Sequence, residues 1–111
     1  MVNEALPEHE FETLADHELR DLTRALDELD GVEVDLQLGV LTLEFPDGVK
    51  YVVNSHRAAR QIWMAAERSA WHFDYQRASS SWVAGKSGEE LRAALSGVLA
   101  RKLGQPVDLQ R

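Results

Sequence analysis

The hydrophobic pattern changes period twice along the chain, and that change restricts the fold more than any other property. Between Glu8 and Leu29, Phe11, Leu14, Ala15, Leu19, Leu22, Ala25, Leu26 and Leu29 recur every three or four residues. At about 100° per residue they gather into one stripe, which predicts an amphipathic helix with one side to bury. Pro7 stands before it, where a helix start tolerates proline, and Asp30-Gly31 is its expected end, with glycine just past the last turn. The period then drops to two. Val32, Val34, Leu36 and Leu38 alternate with Glu33, Asp35 and Gln37, and Leu41, Leu43 and Phe45 alternate with Val40, Thr42 and Glu44. Such alternation predicts half-buried strands.

Pro46-Asp47-Gly48 is a turn signal, so Val49–Asn54 reads as the returning strand of a hairpin. Gln61–Ala65 and Trp71–Arg77 are further strands, and Trp82-Val83 follows the polar turn Ser79-Ser80-Ser81 as a last short one. Helical spacing then returns in Leu91, Ala94, Leu95, Val98, Leu99 and Leu103. Ser87-Gly88-Glu89-Glu90 predicts a capping box at its start, Arg101 and Lys102 suit its C-terminal end, and Gly104 and Pro106 stop it. The order helix, run of strands, helix contains no β-α-β crossover. The predicted fold is therefore α+β, a two-layer sandwich with both terminal helices on one face of an antiparallel sheet. With 111 residues and no linker or repeat, residues 1–111 are expected to form a single domain.

Charge is distributed unevenly. The formal net charge is −7. Residues 1–48 hold fourteen acids against Arg20 and Arg24, whereas residues 49–111 hold five acids against ten bases. An acidic chain lacks the basic footprint of a nucleic-acid binder. No run of about 18 apolar residues predicts a membrane span. The stretch Met1-Val2-Asn3-Glu4-Ala5-Leu6-Pro7 has the character of neither a secretory nor a mitochondrial leader, and there are no cysteines, so a cytoplasmic protein is expected.

Motifs for catalysis are missing: there is no phosphate-binding glycine loop, HExxH, GxSxG or EF-hand spacing. The histidines (His9, His17, His56, His72) are scattered, and His9 and His17 lie about two helical turns apart, too far to share one ion. Two surfaces remain. The first is acidic: Glu12, Asp16 and Asp27 along one flank of the first helix, Glu10, Asp21 and Glu28 along the other, and Asp30, Glu33 and Asp35 beyond it. Clustered carboxylates suit hard cations such as iron, manganese, calcium or magnesium, bound weakly at so exposed a place, or a basic protein partner. The plain alternative is a solvated helix face carrying the i,i+4 pairs Asp16–Arg20 and Arg24–Glu28. The second surface is the outer side of the sheet. With Ile62 and Met64 facing the helices, Gln61 and Trp63 point away, with Asn54 beside them. An exposed tryptophan among amides suits protein docking; half-cover by its neighbours is the plain alternative. Trp71 and Trp82 are assigned to packing, and Arg57, Arg60, Arg68 and Arg77 face either an anionic partner or solvent.

Gly39-Val40-Leu41-Thr42-Leu43-Glu44-Phe45, Asp47-Gly48, Asn54, Gln61-Ile62-Trp63, His72-Phe73-Asp74-Tyr75 and Trp82 ahead of Ser87-Gly88-Glu89-Glu90-Leu91 resemble the frataxin family, its bacterial branch in particular. The likeness runs from Glu10-Phe11 to Val107. It implies two helices against a five- to seven-stranded antiparallel sheet. It also implies a non-catalytic iron-binding protein that tunes iron–sulfur cluster assembly on a cysteine desulfurase and scaffold complex. Iron and the desulfurase would meet an acidic ridge at Asp16, Asp27, Glu28, Asp30, Glu33 and Asp35, with Glu12 beside it. Asn54, Gln61 and Trp63 would form a second partner face. A ferroxidase or iron-storage and delivery protein is the alternative, and the expected state is a monomer, with an iron-dependent oligomer as the other possibility. Thr23 and Arg24 replace acids common in relatives and interrupt the ridge, and Leu29 stands where an aromatic is common. The Ala65–Ala70 stretch lacks the Ser-Gly-Pro loop of mitochondrial members, which favours a bacterial protein.

Overall fold

Short turns join every strand to the next, so the sheet has no choice but to pair in chain order. A computed structural model describes residues 6–110; the leader reading of Met1 to Ala5 lies outside them. The elements are α1 (Glu8–Leu26), β1 (Glu33–Gln37), β2 (Val40–Glu44), β3 (Lys50–His56), β4 (Gln61–Ala66), β5 (Ser69–Gln76), β6 (Ser81–Ala84) and α2 (Leu91–Leu103). The strands form one antiparallel sheet in the order β1-β2-β3-β4-β5-β6. Both helices lie on one face of it, as expected.

Period-two alternation sends Leu41, Leu43, Tyr51, Val53, Ile62, Met64, Phe73 and Trp82 into the core. They meet Phe11, Ala15, Leu19, Leu22 and Leu26 of α1 and Leu91, Leu95 and Leu99 of α2. Trp82, 2% exposed, stands edge-on to Phe11 and to Tyr75 at ring-centroid distances of 6.0 and 5.2 Å. Trp71 is half-buried, and its indole N–H donates to Glu89 at 2.9 Å. Both tryptophans therefore pack.

Both helices are shorter than their sequence patterns predict. The helix α1 stops at Leu26 rather than Leu29. The amides of Glu28 and Leu29 reach back only three residues, to Ala25 and Leu26, so the chain tightens into a turn. Leu29 still packs against the core, which preserves the apolar spacing after the helix has ended. Gly31, at φ +86°, then directs the chain into β1. At the other end, α2 begins at Leu91, and the predicted capping box does not form. Glu90 is the cap, accepting from the Ala93 amide at 3.2 Å, while the Ser87 hydroxyl accepts from Glu89. The cause is tertiary: a bridge between Val83 and Glu90, and a 2.8 Å bond from the Ala84 amide to the Glu89 carbonyl, hold this segment extended against β6. Gly104 terminates α2 as expected, in the left-handed conformation at φ +69°.

The two helices and the C-terminal tail share a buried ion pair. Arg92 donates to both oxygens of Glu18, at 3.0 and 3.2 Å, and to the Leu109 carbonyl at 3.2 Å. Arg92 is 6% exposed and Glu18 is 2% exposed. The stripe of α1 therefore contains a charged residue that hydrophobic periodicity alone does not reveal.

Candidate functional site

The acids of the N-terminal half divide into two groups with different electrostatics. On the first turns of α1 they are met by bases from the far half of the sequence. Arg77, from the β5–β6 turn, grips Glu10 with two hydrogen bonds of 2.6 and 2.8 Å. Arg57, after β3, lies 3.5 Å from Glu8 and 3.3 Å from Glu12. Further along α1 the helix supplies its own base, and Arg20 donates to Asp16 at 2.8 Å. The Arg77 bonds hold the Glu10 carboxyl below its ordinary range, and an Arg24 bond does the same for Asp21.

The second group lies where α1 ends and β1 begins. Asp27, Glu28, Asp30, Glu33 and Asp35 are all exposed, and among the described residues no ion pair joins any of them to a base. The expected Arg24–Glu28 pair is absent because Arg24 turns back to Asp21. Asp21 is also drawn towards Arg92, at 3.5 Å. The acidic surface is thus narrower than the sequence suggests, since Glu12 and Asp16 are partly neutralised. Its remaining part is more strongly charged. Glu44 stands directly across from Glu33 in the sheet register, a like-charge pairing on the exposed face, with Lys50 across from Glu44 on the other side.

These carboxylates supply hard oxygen donors, the chemistry that ferrous and ferric ions accept. Among the described residues no three His, Asp or Glu side chains converge on one point, so an ion here would meet mobile, solvated ligands. Charge density is what this edge offers: a field that attracts cations and basic surfaces over about 8–10 Å at physiological salt.

Among the described residues no helix covers the outer side of the sheet. Across it run Val40, Asn54, Trp63 and His72, each opposite the next in register. The structure brings Asn54, Gln61 and Trp63 together as expected, but it surrounds the tryptophan. Imidazole rings cover both faces of the Trp63 indole, His56 at 3.7 Å and His72 at 4.2 Å between centroids, both within 15° of parallel. The indole N–H donates to Gln61 Oε1 at 2.8 Å, and Gln61 Nε2 in turn donates to Asp74 at 3.1 Å. Asn54 bonds to the Ser55 carbonyl. The centre of this face is consequently a three-ring stack whose indole orientation Gln61 fixes. Sequence reading missed both histidines; the available signal was the register, which sets His72 opposite Trp63 and His56 opposite Gln61.

Two helices on one face of a six-stranded antiparallel sheet, with an acidic edge where α1 meets β1, define a small α-β sandwich domain. Comparison with known proteins is specific. The model of the frataxin-like domain matches residues 4–105. The iron-sulfur cluster assembly protein CyaY of Ralstonia nicotianae is 40% identical over 102 residues, covering 87% of this chain and 88% of that protein. The frataxin of Psychromonas ingrahamii superposes with a TM-score of 0.87 at 27% identity, covering 96% of this chain and all of that one. A trimeric frataxin from the yeast Saccharomyces cerevisiae, complexed with ferrous iron, gives a TM-score of 0.65 at 27% identity over 94% of this chain and 92% of that one. The chain belongs to the frataxin family. No described helix is long and apolar enough to cross a membrane.

Proposed function

We propose that this protein is an iron-binding regulator of iron–sulfur cluster assembly. It docks on the cysteine desulfurase and scaffold complex and catalyses no reaction itself. The observation that carries this reading is the group Asp27, Glu28, Asp30, Glu33 and Asp35, exposed along one edge with no base among the described residues paired to it. A surface of one sign that the fold leaves uncompensated is suited to a partner of the other sign, and it accelerates encounter with one. The relatives named for iron–sulfur cluster assembly, and the ferrous complex of the yeast frataxin, support the choice of process and metal. Iron binds the same edge weakly and as cargo, through carboxylates that are not preorganised. The Asn54–Gln61–Trp63 face, with its flanking imidazoles, receives the scaffold.

Binding of the desulfurase–scaffold complex, measured against ionic strength, tests this. Affinity should fall steeply between 50 and 300 mM salt as screening shortens to below about 10 Å. Asp27→Lys with Glu28→Lys should weaken it by at least tenfold and flatten the salt dependence. Unchanged affinity in both experiments would remove the edge as the docking site. Ferrous titration followed by amide NMR should move signals of residues 27–35 first. Ferrous loss under oxygen that is no faster with the protein than without it would separate this reading from a ferroxidase.

A further inference from the structure

Leu38 occupies a position that disfavours it twice over. It is the first residue of the two-residue connection between β1 and β2, where Gln37 and Val40 are the last register pair. Both connecting residues have positive φ, Leu38 at +50° and Gly39 at +79°, as a tight hairpin twisted with its strands requires. Glycine, asparagine and aspartate fill such turns because the left-handed region crowds a Cβ, and a leucine there gains nothing to offset the crowding. Its side chain is also fully exposed, at 103% of the reference area. Val40, two residues on, is 42% exposed on the outer sheet face. The free fold neither favours nor buries this side chain, which leaves it available to a partner.

We infer that Leu38 is the apolar anchor of the docking edge, inserting into a recess of the partner that is rimmed by basic side chains. This rests on the proposed docking function and adds a residue to it. The location argues for the occupant. Asp30 precedes β1, and Glu33 and Asp35 lead along it to Leu38, which follows Asp35 by three residues, about 10 Å of chain. An approaching basic surface that engages these acids therefore meets the leucine at the strand's end. Leu38 also borders a groove of about 480 Å³ between this turn and α1, which leaves room around it for the walls of a recess. The acids supply attraction at long range, and the leucine supplies the short-range, salt-insensitive part that slows dissociation.

The test compares Leu38→Asn and Leu38→Met with the charge-reversed Asp27→Lys/Glu28→Lys protein, using the assembled desulfurase–scaffold complex as probe. Asparagine suits the turn, so Leu38→Asn should raise the melting temperature of the free protein. It should also raise the dissociation constant about tenfold, mainly through faster dissociation, and leave the slope of affinity against salt unchanged. Leu38→Met should retain most of the affinity. The charge-reversed protein should do the opposite, changing the salt slope. Wild-type affinity in Leu38→Asn beside weakened binding in the charge-reversed protein would overturn the anchor and leave the acidic edge standing. Wild-type binding in all three would overturn both. A lower melting temperature for Leu38→Asn would show that the leucine packs in the free chain and would also overturn the inference. So would self-association of the wild type, seen by sedimentation and abolished by Leu38→Asn, because the occupant would then be a second copy.

Discussion

Removal of the Glu18 carboxylate should be among the most damaging single changes available in this fold. Glu18 receives two charge-assisted hydrogen bonds from Arg92, and the pair is almost wholly shielded from water. Losing one member of a buried ion pair strands the other in a medium of low dielectric, a penalty of about 3–5 kcal/mol. Here Arg92 keeps the Leu109 carbonyl at 3.2 Å and a weaker contact with Asp21 at 3.5 Å, which places Glu18→Ala near the lower end, about 3 kcal/mol. For a chain of this size that is a fall of roughly 10–15 °C in melting temperature, and within a typical stability of about 5–15 kcal/mol the variant still folds. Replacing both members by apolar residues, Glu18→Leu with Arg92→Met, removes the stranded charge and should return stability to within about 1 kcal/mol of wild type. Urea unfolding of the two single variants and the double, with m-values checked for constancy, gives the complete cycle. A loss below about 1 kcal/mol for Glu18→Ala would refute the reasoning, as would a double variant that loses as much as the two singles combined.

The pH dependence should have two limbs of opposite origin. Glu10, Asp21 and Asp47 are held below the ordinary carboxylate range by hydrogen bonds from Arg77, Arg24 and Lys102 respectively. Their unfolded counterparts therefore take up protons first as pH falls, so this stability is complete above about pH 5 and is lost as pH drops through the depressed values. Arg77→Ala should lower stability near neutrality and flatten the acid limb in denaturant titrations stepped from pH 7 to 2; an unchanged limb would contradict the assignment. Tyr51 behaves in the opposite sense: burial, then its hydrogen bond to Glu67, push the phenol far above its ordinary value. Its contribution is intact below about pH 10 and is lost above it as the unfolded phenol ionises, so Tyr51→Phe should flatten the alkaline limb. At the β1–β2 turn, Gly39→Ala would set a Cβ 2.6 Å from Ser55 Oγ at φ +79°. We expect a loss of roughly 1–2 kcal/mol, of which Ser55→Ala in the same chain recovers the contact part and leaves the backbone part.

Much of the candidate site was legible in the chain because charge and periodicity are local properties. The acids from Asp27 to Asp35 needed only the end of a helix and the start of a strand to place them. The outward direction of Gln61 and Trp63 followed from Ile62 and Met64 facing the core. What stayed hidden depended on residues far apart in sequence. Arg57 and Arg77, counted as a positive surface, instead neutralise Glu8, Glu10 and Glu12 at the start of α1. Glu18 sits in an apolar stripe and is buried only because Arg92, seventy-four residues later, reaches it. The Ser87 capping box failed for a similar reason: pairing with β6 outweighs a local cap worth about 1 kcal/mol.

By itself the sequence determined the layer order, the antiparallel sheet, the face each strand buries and the existence of an acidic edge. These follow from periods of 3.6 and 2 and from charge counts, which neighbouring residues set among themselves. Only the tertiary structure decided which acids remain unpaired, that two imidazoles enclose Trp63, and that Glu18 is buried in an ion pair. An ion pair or a ring stack depends on which distant side chains the register and helix packing bring within a few ångströms, and composition does not carry that distance.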